Sequence, residues 1–143
     1  MKLVLDTNVI VAALRSRKGA SRALLRKFLG GEIECLLSVP LALQYEDVLF
    51  RSGIMMELEL GPQDIELMLD SICSLGKPVD TRYFLRPVLK DPDDEMVLET
   101  AIYGDGDGIV TFNVRDFSGA ERFGIMVVTP SEALELIKNK GAQ

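Results

Sequence analysis

The chain has no histidine. That absence removes imidazole general bases, histidine-activated nucleophiles and the commonest nitrogen ligand for metals. It has two cysteines, Cys35 and Cys73, widely separated and both in apolar stretches. Two thiols without histidine leave a structural zinc site short of its usual ligands. Their surroundings predict buried free thiols rather than a disulfide. No apolar run approaches a bilayer span, and no signal-peptide apolar region stands near the N-terminus. The expectation is a cytoplasmic protein with no membrane partner. There is no P-loop motif. Gly104-Asp105-Gly106-Asp107-Gly108 lacks the third glycine of a dinucleotide fingerprint and the distal Glu of a calcium loop, so it reads as a turn. Hydrolytic chemistry in such a chain must rest on carboxylates, and so on a hard metal ion held by oxygen.

Acidic residues are missing from one long segment. Between Thr7 and Gly31 there is none, yet Arg15, Arg17, Lys18, Arg22, Arg26 and Lys27 fall there, in a chain whose net charge is −6. The asymmetry predicts a basic face beside an acidic one. An ordinary solvated helix face is the bland reading, and the lack of any compensating acid favours an anion-binding surface.

What is present is a 143-residue chain, 48% hydrophobic, long enough for a real core and read as one domain over residues 1–143. Lys2-Leu3-Val4-Leu5-Asp6-Thr7-Asn8 is a short apolar run that ends abruptly in polar side chains, as a buried strand does at a sheet edge. Asn8 is the expected cap of a helix over about Val9 to Leu14. A second helix spans about Ala20 to Leu29 and stops at Gly30-Gly31. Ile33 to Ser38 reads as a strand, and Pro40 opens a helix to about Phe50. Arg51 to Leu60 is ambiguous. A helix starts at Gly61-Pro62 and ends at Gly76. Val79 to Leu89 is mixed, with a short strand near Val79. Asp91-Pro92-Asp93-Asp94 starts a helix to about Tyr103. Ile109-Val110-Thr111 and Ile125 to Val128 are strands. Thr129-Pro130-Ser131-Glu132 is a capping box before a last helix to about Lys138. Short buried strands alternating with helices mean parallel crossover units and an α/β fold.

Carboxylates stand at three element ends: Asp6, the Asp91-Asp93-Asp94-Glu95 cluster, and Asp116 after the strand at Ile109. Each has a plain structural explanation as a cap, a helix-dipole partner or a turn residue. Brought together, they could not all stay ionised without a cation. Mg²⁺ or Mn²⁺ suits such a site, where it lowers the pKa of bound water and stabilises charge on a phosphate.

These residues resemble the PIN-domain family, in its branch of toxin components of toxin–antitoxin systems. The likeness covers nearly the whole chain. Its anchors are Leu3 to Asn8, Ser38 to Leu49, Asp91 to Glu95 with Leu98 and Ala101, Ile109 to Asn113 with Asp116-Phe117, and Val128-Thr129-Pro130. The resemblance implies a three-layer α/β/α sandwich around a mainly parallel sheet, and a Mg²⁺- or Mn²⁺-dependent ribonuclease. It implies Asp6 as the first acid and Asp94 as the acid opening the later helix, with Asp93 and Glu95 as neighbouring alternatives. Asn113 or Asp116 takes the last acidic position, Asp116 as the charged metal ligand and Asn113 as a neutral catalytic partner. Thr7 and Thr111 would orient water or ligands. Arg15, Arg17, Lys18 and Arg22 would hold single-stranded RNA. A homodimer and a cognate antitoxin are the implied partners.

The departure from the family lies at Gln44, where it usually places Glu. Gln44 keeps a carbonyl oxygen and loses the charge, which weakens metal binding. Asp47, about one helical turn away, is the residue placed to replace part of it. The alternative to a nuclease is therefore a catalytically degenerate PIN-like domain, acting as an RNA-binding or regulatory module. A haloacid-dehalogenase-like phosphatase also starts from a strand-borne Asp, but it needs a second Asp where this chain has Asn8.

Overall fold

The computed structural model describes residues 1–82 and 87–141. Five strands form one sheet: β1 (Lys2–Leu5), β2 (Glu34–Leu37), β3 (Lys77–Pro78), β4 (Gly108–Val110) and β5 (Met126–Val128). Their order is β3-β2-β1-β4-β5, and every pairing is parallel. The helices are α1 (Thr7–Arg15), α2 (Ala20–Leu29), α3 (Val39–Leu49), α4 (Ser52–Leu58), α5 (Pro62–Leu75), α6 (Pro92–Tyr103) and α7 (Pro130–Gly141).

The chain leaves β1 toward β2 and β3, then returns through α6 to β4 on the other side of β1. Crossovers between parallel strands are right-handed, so the outward and returning helices fall on opposite faces of the sheet. Burial agrees. Leu3, Val4 and Leu5 are all buried, and so are Ile109 and Val110. Consecutive buried residues in a strand require cover on both faces, which is why these strands are unbroken apolar runs. The reversal of direction beside β1 is a topological switch point, the place where open α/β sheets form a crevice.

Helix α3 pins the end of β1. Ser38 caps it by accepting from the Leu41 N–H at 3.3 Å. The Thr100 hydroxyl of α6 donates to the Met96 carbonyl, so its 2.7 Å contact with Ser38 uses the Ser38 proton. Tyr45, buried on α3, donates its hydroxyl to the Leu5 carbonyl, one residue before Asp6. At the far end of α6, Gly104 is required by close approach. A Cβ there would stand 2.8 Å from Leu36 Cδ1 and 3.0 Å from the Thr100 carbonyl oxygen.

Several expectations need correction. Helix α1 starts two residues early, because Asp6, not Asn8, is its cap. The Asp6 backbone is extended, which aims its carboxylate at the Thr7 N–H, 2.8 Å away. Cys73 is exposed. It follows Ile72, which with Ile65 and Leu69 forms the buried stripe of α5, and one residue along a helix turns the side chain about 100° away. The ambiguous stretch after Arg51 is α4, which closes on Glu59 in a left-handed conformation at φ 57°. The short strand near Val79 is β3, two residues earlier, with the Val79 N–H still bonded to Leu37. Of the mixed stretch Val79 to Leu89, residues 83–86 lie outside the described residues. Two 3₁₀ turns, Val114–Phe117 and Ala120–Phe123, stand between β4 and β5, and no periodic signal marked them. Among the described residues, no helix is long and apolar enough to cross a membrane.

Removing the Tyr45 hydroxyl leaves the Leu5 carbonyl without that donor. Tyr45→Phe is expected to cost about 1–2 kcal/mol of unfolding free energy. Urea denaturation followed by circular dichroism, with an unchanged m-value, checks it.

Candidate functional site

Asp6 stands at the carboxyl end of β1, at the switch point. Its backbone N–H continues the ladder to the Val110 carbonyl at 2.9 Å. One carboxylate oxygen accepts from the Thr7 N–H at 2.8 Å, and the other accepts from the Thr111 hydroxyl at 2.7 Å. Thr111 is fully buried, and its oxygen also accepts from the Asn113 N–H at 3.0 Å. The side chain of Asp6 is thus oriented from both neighbours along the chain and across the sheet.

Asp94 lies in the first turn of α6, half-buried. Asp116 lies in the 3₁₀ turn after β4 and is exposed. Both line a cleft of about 390 Å³ together with Asp91, Lys90, Arg115 and Ser118. The charge of Asp116 reaches both Asp6 and Asp94. Burial pushes the Asp6 carboxyl up, the hydrogen bonds from Thr111 and Thr7 pull it down, and the charges of Asp116 and Asp93 push it up again. Burial, followed by the charges of Asp6, Asp91, Asp116 and Asp93, raises Asp94 to about 6. None of Asp6, Asp94 and Asp116 has an ion pair among the described residues.

The neighbours of Asp94 have different tasks. Asp91 caps α6 by accepting from the Asp93 N–H at 2.8 Å. Glu95 is buried and spends both oxygens on the Val88 and Leu89 N–H groups, at 2.9 and 2.7 Å. Of the alternatives Asp93, Asp94 and Glu95, Glu95 is therefore a clamp on the segment before α6. Sequence reasoning did not find this clamp, because an acid in a first helical turn already has a sufficient explanation.

The remaining expected residues are dispersed. Asn113 sits next to the site, held through its backbone, with an exposed side chain. Thr7 is buried and its hydroxyl has no partner. Gln44 is half-buried on α3 beside Tyr45. Asp47 is exposed and paired with Arg51 at 2.8 Å, so its charge is engaged at the surface. In the basic segment, Arg15 pairs with Glu57 of α4 at 2.6 Å, and Arg22 donates to the Ala13 carbonyl at 2.8 Å. The compensating acid that the segment lacks is supplied by another element. Arg17 and Lys18 are exposed, without an ion pair among the described residues.

The larger cavity, about 650 Å³, lies elsewhere, between the start of α3 and α6, with Val39, Leu89, Met96 and Glu99 in its wall. It is mainly apolar and holds none of Asp6, Asp94 and Asp116.

No three acids or cysteines among the described residues stand close enough to form a ready-made metal cage. The donors still fit a hard cation. They are oxygens, they are mutually repelled with no cation partner, and Mg²⁺ needs only one or two carboxylates beside its waters. Asp6, Asp94 and Asp116 are the residues that would hold it.

Residues 2–115 match a family model described as PIN domain. None of the curated proteins matches the chain. Among solved structures, VapBC2 from Rickettsia felis, bound to a DNA fragment from its promoter, is similar to it with a TM-score of 0.62 at 16% identity, covering 89% of this chain and 97% of that one. FitAcB from Neisseria gonorrhoeae is similar with a TM-score of 0.55 at 18% identity, covering 90% of this chain and 98% of that one. At such identity these two likenesses speak for the shared α/β fold. The family model spans most of the chain and includes Asp6, Asp94 and Asn113, and on that match the protein belongs to the PIN domain family.

Proposed function

We propose that the protein is a metal-dependent endoribonuclease and the toxin of a toxin–antitoxin pair. The observation that carries this is the group of mutually repelling carboxylates, Asp6, Asp94 and Asp116, at the switch point. Bound there, Mg²⁺ or Mn²⁺ would supply charge neutralisation and a water of lowered pKa for attack on a phosphodiester. Thr111 and Thr7 hold the Asp6 carboxylate in a fixed orientation. The exposed cations Arg17 and Lys18 would attract the single-stranded RNA backbone. A cognate antitoxin belongs to the same reading, supported by the neighbours VapBC2 and FitAcB, and a homodimer is proposed with it.

A second reading has one observation in its favour. With Gln44 on α3 and Asp47 turned to Arg51, no charge replaces the family's usual Glu. A domain that has retired catalysis would keep the fold and act as an RNA-binding or regulatory module.

Cleavage of a labelled single-stranded RNA in Mn²⁺ tests the first reading. Asp6→Asn and Asp94→Asn, purified identically, are each expected to lose about a hundredfold or more in rate, and EDTA is expected to abolish cleavage. Mutants that cleave like the parent would sink the proposal. Gln44→Glu separates the two readings. It is expected to tighten Mn²⁺ binding about tenfold in a calorimetric titration, and activity appearing only in that variant favours the retired site.

The raised Asp94 also sets a pH dependence. Its ordinary value is 3.8 and its folded value about 6. A raised folded value stabilises the fold at low pH, and that contribution is lost as pH rises through this window. Metal-free protein is therefore expected to show a falling Tm from about pH 4 to about pH 6 that is flattened in Asp94→Asn. At pH 7.5, Mg²⁺ is expected to raise the Tm of the parent more than that of the variant. Scanning calorimetry across pH checks both.

A further inference from the structure

Beside the acidic cleft lies a groove of about 460 Å³ that the proposed chemistry leaves unused. Its wall includes Thr7, Asn8, Val11 and Arg15 of α1, Val48 of α3, and Phe112. Two chain bonds tie it to Asp6. Thr7 directly follows Asp6, and Phe112 directly follows Thr111, whose hydroxyl holds the Asp6 carboxylate.

Three features mark it as more than a surface dent. Phe112 is 51% exposed, although it is bonded to the fully buried Thr111. Thr7 is 7% exposed and its hydroxyl oxygen has no hydrogen-bond partner. The Oδ1 of Asn8 is likewise buried and unpartnered. Buried polar atoms are ordinarily paired, and two orphans in consecutive residues on one groove wall leave hydrogen-bonding capacity unspent. The volume is in the range of small-ligand pockets.

The chemistry of the wall selects the ligand. A phosphate finds no free cation there, because Arg15 is taken by Glu57. The apolar side chains of Val11 and Val48 and the ring of Phe112 suit a flat aromatic group. The carboxamide of half-buried Asn8 suits its polar edge, since its soft amide torsion lets it turn a polar atom toward the groove.

We propose that this groove is a nucleobase subsite, in which the base flanking the phosphodiester at Asp6 stacks on Phe112 while the Asn8 carboxamide meets its edge. The proposal rests on the ribonuclease reading and adds a specificity determinant to it.

The test is fluorescence anisotropy with labelled single-stranded hexaribonucleotides in Mg²⁺, every protein carrying Asp94→Asn so that the RNA stays intact. Phe112→Ala is expected to weaken binding about tenfold, as loss of one base–aromatic stack does. Phe112→Tyr is expected to keep the parent affinity. An otherwise identical hexamer with abasic sites should bind parent and Phe112→Ala alike. Equal affinity of parent and Phe112→Ala for the normal hexamer overturns the subsite and leaves the ribonuclease reading to the cleavage assay. Equal loss on normal and abasic hexamers also overturns it, because Phe112 then serves the backbone or the fold. A change confined to self-association in sedimentation assigns the groove to a protein and overturns it too. A protein that binds no hexamer overturns the subsite and leaves the ribonuclease reading to the cleavage assay.

Discussion

The hydrogen bond from Thr111 to Asp6 joins residues 105 positions apart in the chain, and the site depends on it. It exists because β1 and β4 are parallel neighbours in register, with Leu5 opposite Val110. The next residue on each strand, Asp6 and Thr111, therefore emerges at the same edge. The same carboxylate caps α1. One side chain thus ends a strand, starts a helix and adds its charge to that felt by Asp94. Tyr45 secures the preceding carbonyl from α3, so the end of β1 is held from three directions.

Around that fixed point the fold gathers negative charge that no ion pair among the described residues relieves. Lys90 and Arg115 line the cleft, yet no ion pair forms with Asp94 or Asp116 among the described residues. Burial raises Asp94, and its acidic neighbours raise it further. Such an arrangement costs stability in the metal-free chain, the usual mark of a site built for something other than folding. Sequence neighbours divide the labour at the start of α6. Asp91 caps, Glu95 clamps the chain before the helix, and Asp94 faces the cleft. The division follows from a turn of about 100° per residue, which sends adjacent side chains to different surroundings.

The basic segment shows how a local count of charge differs from a surface. Between Thr7 and Gly31 the chain has no acid, but Glu57 reaches Arg15 from α4, and Arg22 is bound to a backbone carbonyl. The free cations reduce to fewer residues than the sequence suggests. The groove at Phe112, next to Asp6 along the chain through Thr7, carries aromatic rather than ionic character.

Local pattern alone determined the parallel α/β fold, the strand ending in Asp6, the helix start at Asp91 and the carboxylate chemistry left by the absence of histidine. These are short-range matters: apolar runs, capping residues and turn residues act over a few positions. The family was legible because several such anchors fall in one order. Tertiary structure decided the rest. Only packing showed that Asp6 caps α1, that Glu95 is occupied, that Asp47 is drawn to Arg51 and that Cys73 is exposed. It also placed Phe112 and Asn8 on one groove wall. Each depends on a partner distant in sequence or on the phase of a helix against the core, and periodicity by itself does not say which face a neighbour will cover.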